Sequence, residues 1–274
     1  MYDAMQFDGR AVWITGASSG IGKALAVQMA ARGSRLALSA RNQQSLQQVA
    51  DQCRIAGAPD VLVLPLDVAQ HDTMDAATRQ VLAHFQHIDL LINNAGISQR
   101  SFCVNTDFSV YRQMMDVNVL GPIALTQAVL PAMLERGEGH IAVTASVAGK
   151  VGAPMRTGYC ASKHAVMGFF DALRTEVAAQ SLKVTTITPG FVRTDVSLNA
   201  LSGDGTASGN MDDDISGGMD VDKCAQNIIA GFENGDPEIE VGEGPEMGLL
   251  QLKRDNPIAA FGLLEEMAKQ IQQS

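Results

Sequence analysis

Short apolar runs alternate with longer segments of helical periodicity from residue 11 to residue 190, and that alternation predicts βαβ units wound around a parallel sheet. Strands are expected at AVWI (11–14), RLALSA (35–40), VLVLPL (61–66), DLLIN (89–93), HIAVTA (140–145) and VTTIT (184–188), with EIEVG (238–242) as a seventh. Between the first two, Ile21, Leu25 and Met29 recur at helical spacing, Arg32 falls in the last turn and Gly33 supplies a left-handed stop. No break in composition, long linker or fixed-period repeat divides the region. The expectation is an α/β chain, one domain over residues 1–274, with a single doubly wound parallel sheet of about seven strands and helices on both faces.

Two stretches fall outside the alternation. Residues 202–220 (SGDGTASGNMDDDISGGMD) carry five Gly and five Asp with few apolar anchors, and follow a strand's C-terminal end, where open α/β sheets place ligands. With the residues from 191 onward they are expected to form a mobile substrate lid, although a passive surface insertion has the same composition. Beyond Pro257 a stripe of Phe261, Leu264, Ala268 and Ile271 opposes Glu265 and Glu266, so the tail 243–274 is expected to pack on the core or on a partner subunit, not on a membrane. A helix over 160–180 carries a stripe of Ala161, Ala165, Gly168 and Ala172 beside Phe169, Phe170 and Leu173, suited to intrachain packing or to a subunit contact.

Composition narrows the partners. The 274 residues are 46% apolar and 18% charged, enough for a sizeable core and too apolar for a disordered chain. Twenty basic against 30 acidic residues give a net charge of −10, which argues against nucleic acid or an anionic membrane as a partner and leaves any anion to a local site. Cys53, Cys103, Cys160 and Cys224 show neither metal-ligand spacing nor a disulfide framework, so no metal is expected and a reducing, cytoplasmic setting fits. The opening MYDAMQFDGR lacks the basic flank and apolar core of a leader, and no apolar run is expected to approach the roughly 18 residues of a membrane span.

After the first strand comes Thr15-Gly16-Ala17-Ser18-Ser19-Gly20-Ile21-Gly22, a strand-to-helix turn whose glycines admit a ligand close to the backbone and whose helix N-terminus favours phosphate. The G-x-x-x-G-x-G spacing departs from the usual dinucleotide fingerprint, and Gly22-Lys23-Ala24 lacks the Ser/Thr of a P-loop, which disfavours nucleotide hydrolysis. By itself the turn also suits tight helix packing. Tyr159 and Lys163, four apart on a helix, share a face. A cation about 4 Å from the phenol would lower its pKa by roughly three units before burial opposes it, bringing a tyrosine into range as a base. Surface helices produce such pairs by chance as well.

Taken in order, the Thr15–Gly22 turn, Asn93-Asn94-Ala95-Gly96, Asn118, Ser146, Tyr159/Lys163 and Pro189-Gly190 closely resemble the short-chain dehydrogenase/reductase family over roughly residues 9 to 195. Leu38-Ser39-Ala40-Arg41, Ser98-Gln99-Arg100-Ser101 and Gly158-Tyr159-Cys160-Ala161-Ser162-Lys163-His164 look most like its 11β-hydroxysteroid-dehydrogenase-like and member-7-type reductases. The resemblance fades after about residue 196. It implies a Rossmann-type fold, a homodimer or homotetramer, and a catalytic set of Asn118, Ser146, Tyr159 and Lys163. Tyr159 would be the acid/base, Ser146 would hold the substrate oxygen, Lys163 would lower the pKa of Tyr159 and bond the nicotinamide ribose, and Asn118 would support a water linking Lys163 to solvent. In isolation Ser146 reads as a strand-end cap and Asn118 as a buried helix hydrogen-bonder.

The resemblance also places Gly16, Ser18, Ser19, Gly20, Ile21, Asn94, Ala95, Gly96, Pro189, Gly190, Val192 and Thr194 against a cofactor, with Asp67 and Val68 at its adenine. Asp67 also suits a helix N-cap. NAD-dependent sites present a carboxylate to the ribose at the end of the second strand, whereas this chain has Ala40 and Arg41, and a guanidinium suits a 2′-phosphate. NADP(H) is therefore favoured over NAD(H). The substrate wall is expected from Ser146, Val147, Met155, Tyr159, Phe191, Val192, Leu198 and residues 202–220. The expected function is hydride transfer between NADP(H) and a carbonyl or secondary alcohol of a fairly apolar small molecule. The alternatives are an NAD-dependent alcohol dehydrogenase and a nucleotide-sensing protein without turnover.

Overall fold

A computed structural model describes residues 2–273. Seven parallel strands run β1 (Ala11–Thr15), β2 (Arg35–Ser39), β3 (Val61–Val63), β4 (Leu90–Asn93), β5 (His140–Thr144), β6 (Lys183–Pro189) and β7 (Glu238–Val241), in sheet order β3-β2-β1-β4-β5-β6-β7. The order reverses between β1 and β4, the crevice where doubly wound sheets bind ligands beyond their C-terminal ends. Helices α1 (Gly20–Ala30), α2 (Gln43–Ala56) and, later in the chain, α8 cover one face. Helices α3 (Met74–Phe85), α5 (Gly121–Arg136) and α6 (Thr157–Glu176) cover the other, while α4 (Phe108–Met115), which leads into α5, packs with Ile97, Leu201 and Tyr159. Beyond β6 come the single-turn α7 (Asp213–Ser216) and α8 (Val221–Asn234). After β7 the tail forms α9 (Pro245–Asp255) and α10 (Pro257–Gln273).

Both faces of the sheet are buried, so the strands read as continuous apolar runs such as Val12, Trp13 and Ile14, each 0% exposed. β3 is shorter than the expected 61–66 because Pro65 has no N–H to give the ladder, although Leu64 and Leu66 still donate to Leu38 and Ala40. α1 ends at Ala30, so Arg32 lies beyond its last turn, where it bonds the Gln28 carbonyl at 3.1 Å, while Gly33 takes φ +81. α6 starts earlier and stops at Glu176, and its small stripe of Ala161, Ala165, Gly168 and Ala172 is exposed; Val166, Phe170 and Leu173 do the intrachain packing. One apolar stretch is longer than expected. The continuous helix Phe108–Arg136 is long and apolar enough to span a membrane by length and composition, with mean hydropathy 1.6, and 44% of that window is buried within the fold.

The 202–220 segment is folded onto the body. Gly205 and Gly209 occupy left-handed turns, Asp204 accepts from Thr206, and Asp212 caps α7. Bridges join Gln99 to Leu201, Leu201 to Ala207 and Val192 to Met219. Its Gly and Asp content is thus turn and cap chemistry. The tail packs on its own chain through Leu250 against Val147 and Val151, with Leu264 alongside. Phe261 departs from the expected stripe: Ala260 is buried instead, and Phe261, half exposed, lies under the Lys253 ammonium at 3.7 Å.

His140 opens β5 in the core, with Nε2 2.9 Å from Thr185 Oγ1 and its ring edge-on to Phe232. Burial holds its pKa down at about 3, with Lys183 adding to the effect. The unfolded chain takes up a proton below about pH 6.5 that the folded chain refuses, so stability is expected to fall from there toward pH 3 by up to about 1.4 kcal/mol per unit. In urea unfolding, His140→Gln should lose one proton of that dependence; slopes equal to wild type would contradict the assignment.

Candidate active site

Beyond the C-terminal ends of β1, β4, β5 and β6 opens a cleft of about 1170 Å³. Its floor is the β1–α1 turn. Gly16 stands at φ +67, and a Cβ there would come within 2.8 Å of the Ala95 backbone, so the turn closes only with glycine. Asn94 braces it, donating to Thr15 O at 3.1 Å and accepting from Thr144 Oγ1 at 3.2 Å, while Thr15 Oγ1 accepts from the amides of Asn94 and Ala95. Ser19 precedes α1 without a side-chain cap, leaving first-turn N–H groups at Gly20 and Ile21, which line the cleft. Gly16→Ala is expected to destabilise the chain by about 1–3 kcal/mol and to abolish dinucleotide binding at this turn. Unchanged melting and binding would show that the turn tolerates the side chain.

The tyrosine and serine meet from two elements. Ser146 ends β5 and begins a short 3₁₀ turn, its Oγ accepting from Ala148 N at 3.1 Å and donating to Pro189 O at 3.4 Å. The cap reading is therefore satisfied, and the same hydroxyl stands close enough to the Tyr159 phenol to favour its ionisation. Tyr159 sits in the first turn of α6, whose Gly158 and Tyr159 amides donate to Gln99 Oε1 at 2.8 and 3.4 Å. Burial raises the Tyr159 pKa, opposed by the Ser146 hydroxyl and the Arg156 charge, with Cys160 adding to the rise. Burial thus outweighs the charges that favour ionisation, and Lys163 is not among the causes of the shift. Lys163 Nζ lies 5.8 Å from the Tyr159 ring centroid, donates to Thr144 O at 2.8 Å, and is itself held down at about 8 by burial.

Asn118, 1% exposed, sits behind the cleft in a π-helical turn over Asp116–Leu120 between α4 and α5, the irregularity that re-aims a helix face. Its amide accepts from Ile97 N at 2.9 Å and donates to Ile97 O and Ser162 Oγ at 3.0 and 2.9 Å. It reaches the Lys163 neighbourhood through Gly96, where a Cβ would meet Asn118 Oδ1 at 3.2 Å and Lys163 Nζ at 3.5 Å.

The other expected cofactor and substrate residues line the cleft, from Ser18 and Val68 at one end to Val147, Phe191, Val192 and Thr194 at the other; Leu198 does not, and of residues 202–220 only Asp212, Asp213, Asp214 and Ile215 do. Arg41 is exposed on the cleft wall and makes no hydrogen bond or ion pair among the described residues. Asp67 Oδ1 accepts from Ala69 N at 3.0 Å, holding a turn and not a helix start. Met155 takes φ +62, a strained position for a side chain, at the substrate end. Among the described residues no cluster able to hold a metal occurs.

Several lining residues carried no sequence signal. Tail residues Leu249, Leu263 and Met267, joined by Leu264 and Ile271 of the expected stripe, complete an apolar wall. Glu246, buried, accepts the Phe191 amide at 3.0 Å through Oε1, while its Oε2 has no partner among the described residues. Gly190, Gly242 and Gly244 leave it room, since a Cβ on any of them would strike its carboxylate or the neighbouring Met247.

Comparison with known proteins agrees with this geometry. The family model described as short chain dehydrogenase matches residues 10–204. Dehydrogenase/reductase SDR family member 7 of Homo sapiens is 40% identical over 262 residues, covering 94% of this chain and 77% of that protein. Member 7B of Bos taurus is 37% identical over 268 residues, covering 96% and 82%. A short chain dehydrogenase/reductase from Burkholderia phymatum, solved in complex with NAD, superposes with TM-score 0.81 at 26% identity over 92% of this chain and 95% of that one. A metagenomic short-chain oxidoreductase in complex with NADP gives TM-score 0.65 at 30% identity over 69% and 86%. The cleft geometry, the match over most of the chain and the identity to the member-7 relatives agree, and the chain belongs to the short-chain dehydrogenase/reductase family of oxidoreductases, as one of its member-7 type.

Proposed function

We propose that this oxidoreductase interconverts a carbonyl and a secondary alcohol on a fairly apolar small molecule, with NADP(H) as its cofactor. The observation that carries the reading is the convergence of Ser146, Tyr159 and Lys163 on one wall of a cleft whose floor is the open Gly16–Ile21 turn. That turn fits a dinucleotide: Gly16 brings backbone close, and the α1 N-terminus offers N–H groups to a pyrophosphate. When bound, the nicotinamide would supply or accept the hydride.

The chain's own groups handle the oxygen. As negative charge develops there during reduction, Ser146 Oγ donates a hydrogen bond and Tyr159 gives its proton, which its raised pKa keeps in place at neutral pH. Lys163, which donates to Thr144 O, would hold the ribose, and Asn118 holds the Ile97 loop and Ser162 so that α6 presents both residues together. The apolar wall from Val147, Phe191 and the α10 residues supports an apolar substrate. The exposed small-residue stripe of α6 supports a homo-oligomer, and the four free cysteines support a reducing, cytoplasmic setting.

Arg41 tests the cofactor. Its exposed guanidinium, on the cleft wall and without a partner among the described residues, supports a contact with the 2′-phosphate. Arg41→Ala is expected to lower the preference for NADPH over NADH by roughly 10- to 150-fold, the value of a charge-assisted hydrogen bond. Adding Ala40→Asp should then favour NADH. The constants are compared at one ionic strength, because exposed contacts weaken with salt. Equal changes for both cofactors would make Arg41 a surface residue.

A further inference from the structure

The segment Ser98-Gln99-Arg100 has no part in the chemistry above, yet it joins three elements. Gln99 fixes the first turn of α6 through the Gly158 and Tyr159 amides. The Ser98 carbonyl and the Arg100 amide hold Leu201 by backbone bonds, each 2.8 Å. Arg100 and Arg156 both donate to Asp212 Oδ2, and Arg156 also donates to Ser98 Oγ at 3.0 Å. Asp212 is 7% exposed, and its second oxygen accepts from Asp214 N at 3.2 Å. Leu201 packs in one apolar cluster with Ile97, Val110, Met114 and Tyr159. The residues that close over the substrate end therefore rest on the helix start that carries the phenol.

We propose that Asp212 seats residues 191–220 on Arg100 and Arg156, and that Arg156, three residues before Tyr159, is through this seat a positioning residue for proton transfer. The inference rests on Tyr159 as the acid/base. Two guanidiniums on one buried carboxylate leave a surplus positive charge; removing the carboxylate leaves two like charges side by side, and removing a guanidinium weakens the seat. Around the phenol stand Ser146 from the end of β5, Arg156 just before α6, Cys160 and Lys163 from α6, Asp212 and Arg100 through Arg156, and apolar Val110, Met114 and Leu201. Arg156 favours the phenolate while burial opposes it. The two contributions have opposite signs, which separates charge from loosening.

The experiment needs no substrate. Tyrosinate absorbance of each protein minus that of its Tyr159→Phe counterpart isolates this phenol from Tyr2 and Tyr111. Arg156→Gln is expected to raise its midpoint by about half a unit, and Arg156→Lys to leave it near wild type. Simple loosening would instead hydrate the ring and lower the midpoint in Arg156→Gln. In parallel, Asp212→Asn should speed amide exchange about tenfold or more over 205–216 in the free protein, with a smaller rise at 158–160. A lowered or unchanged midpoint in Arg156→Gln overturns the positioning role, and unchanged exchange in Asp212→Asn overturns the seat. Absence of ketone turnover in the wild type would count against the proposed function alone.

Discussion

Tyr159→Phe is expected to lose about 10²- to 10⁴-fold of kcat while binding NADPH as the wild type does. The substitution removes one oxygen and one proton from a side chain whose ring packs with Ile97, Val110, Met114 and Leu201, and that apolar packing needs only the ring. Ser146 keeps its bonds to Ala148 N and Pro189 O, so the β5 end stays in place. What disappears is the phenolic proton that the proposed reduction would deliver to the substrate oxygen. Dinucleotide binding by fluorescence, measured beside initial rates, separates the two effects. Retention of more than about a tenth of the wild-type rate would remove Tyr159 from the acid/base role.

Lys163→Met is expected to damage both steps, lowering kcat/KM by at least about 10³-fold, since it removes the proposed ribose ligand and the ammonium near the phenol. The pH dependence gives the sharper reading. Burial holds the ammonium down at about 8, so in the free enzyme the charge is present below that pH and lost above it. Ketone reduction by the wild type should therefore decline in kcat/KM as pH rises through about 8, with Tyr159, raised by burial, still protonated there. Lys163→Met should lack that limb. A wild-type profile flat across pH 7 to about 9.5 would show that the charge on Lys163 is not needed.

The alternation of apolar runs places all seven strands because a sheet buried on both faces leaves long unbroken runs, and the errors fall where one residue overrides the pattern, as Pro65 does in β3. The site was legible where chemistry needs particular residue types at fixed spacing: Gly16 in the turn, Tyr159 and Lys163 one turn apart. What stayed hidden depends on long-range packing. Nothing local marks Glu246 as the acceptor of the Phe191 amide 55 residues earlier, or the tail's Leu263 and Met267 as cleft wall. Asp212 sits in a run of three Asp, yet only tertiary structure brings it to Arg100 and Arg156. The extent of Tyr159 burial, which raises its pKa, was hidden for the same reason, because burial is not visible in Y-x-x-x-K.

Turnover itself is the most direct test of carbonyl–alcohol interconversion. A panel of apolar ketones, aldehydes and secondary alcohols is offered with NADP(H) and with NAD(H), and the nicotinamide absorbance is followed in wild type and in Tyr159→Phe. The expected result is oxidation of NADPH by at least one apolar ketone or aldehyde, faster than with NADH and nearly abolished in the variant. Absence of turnover across the panel, in protein shown to bind the dinucleotide, would contradict it and point to a nucleotide-sensing protein on the same fold.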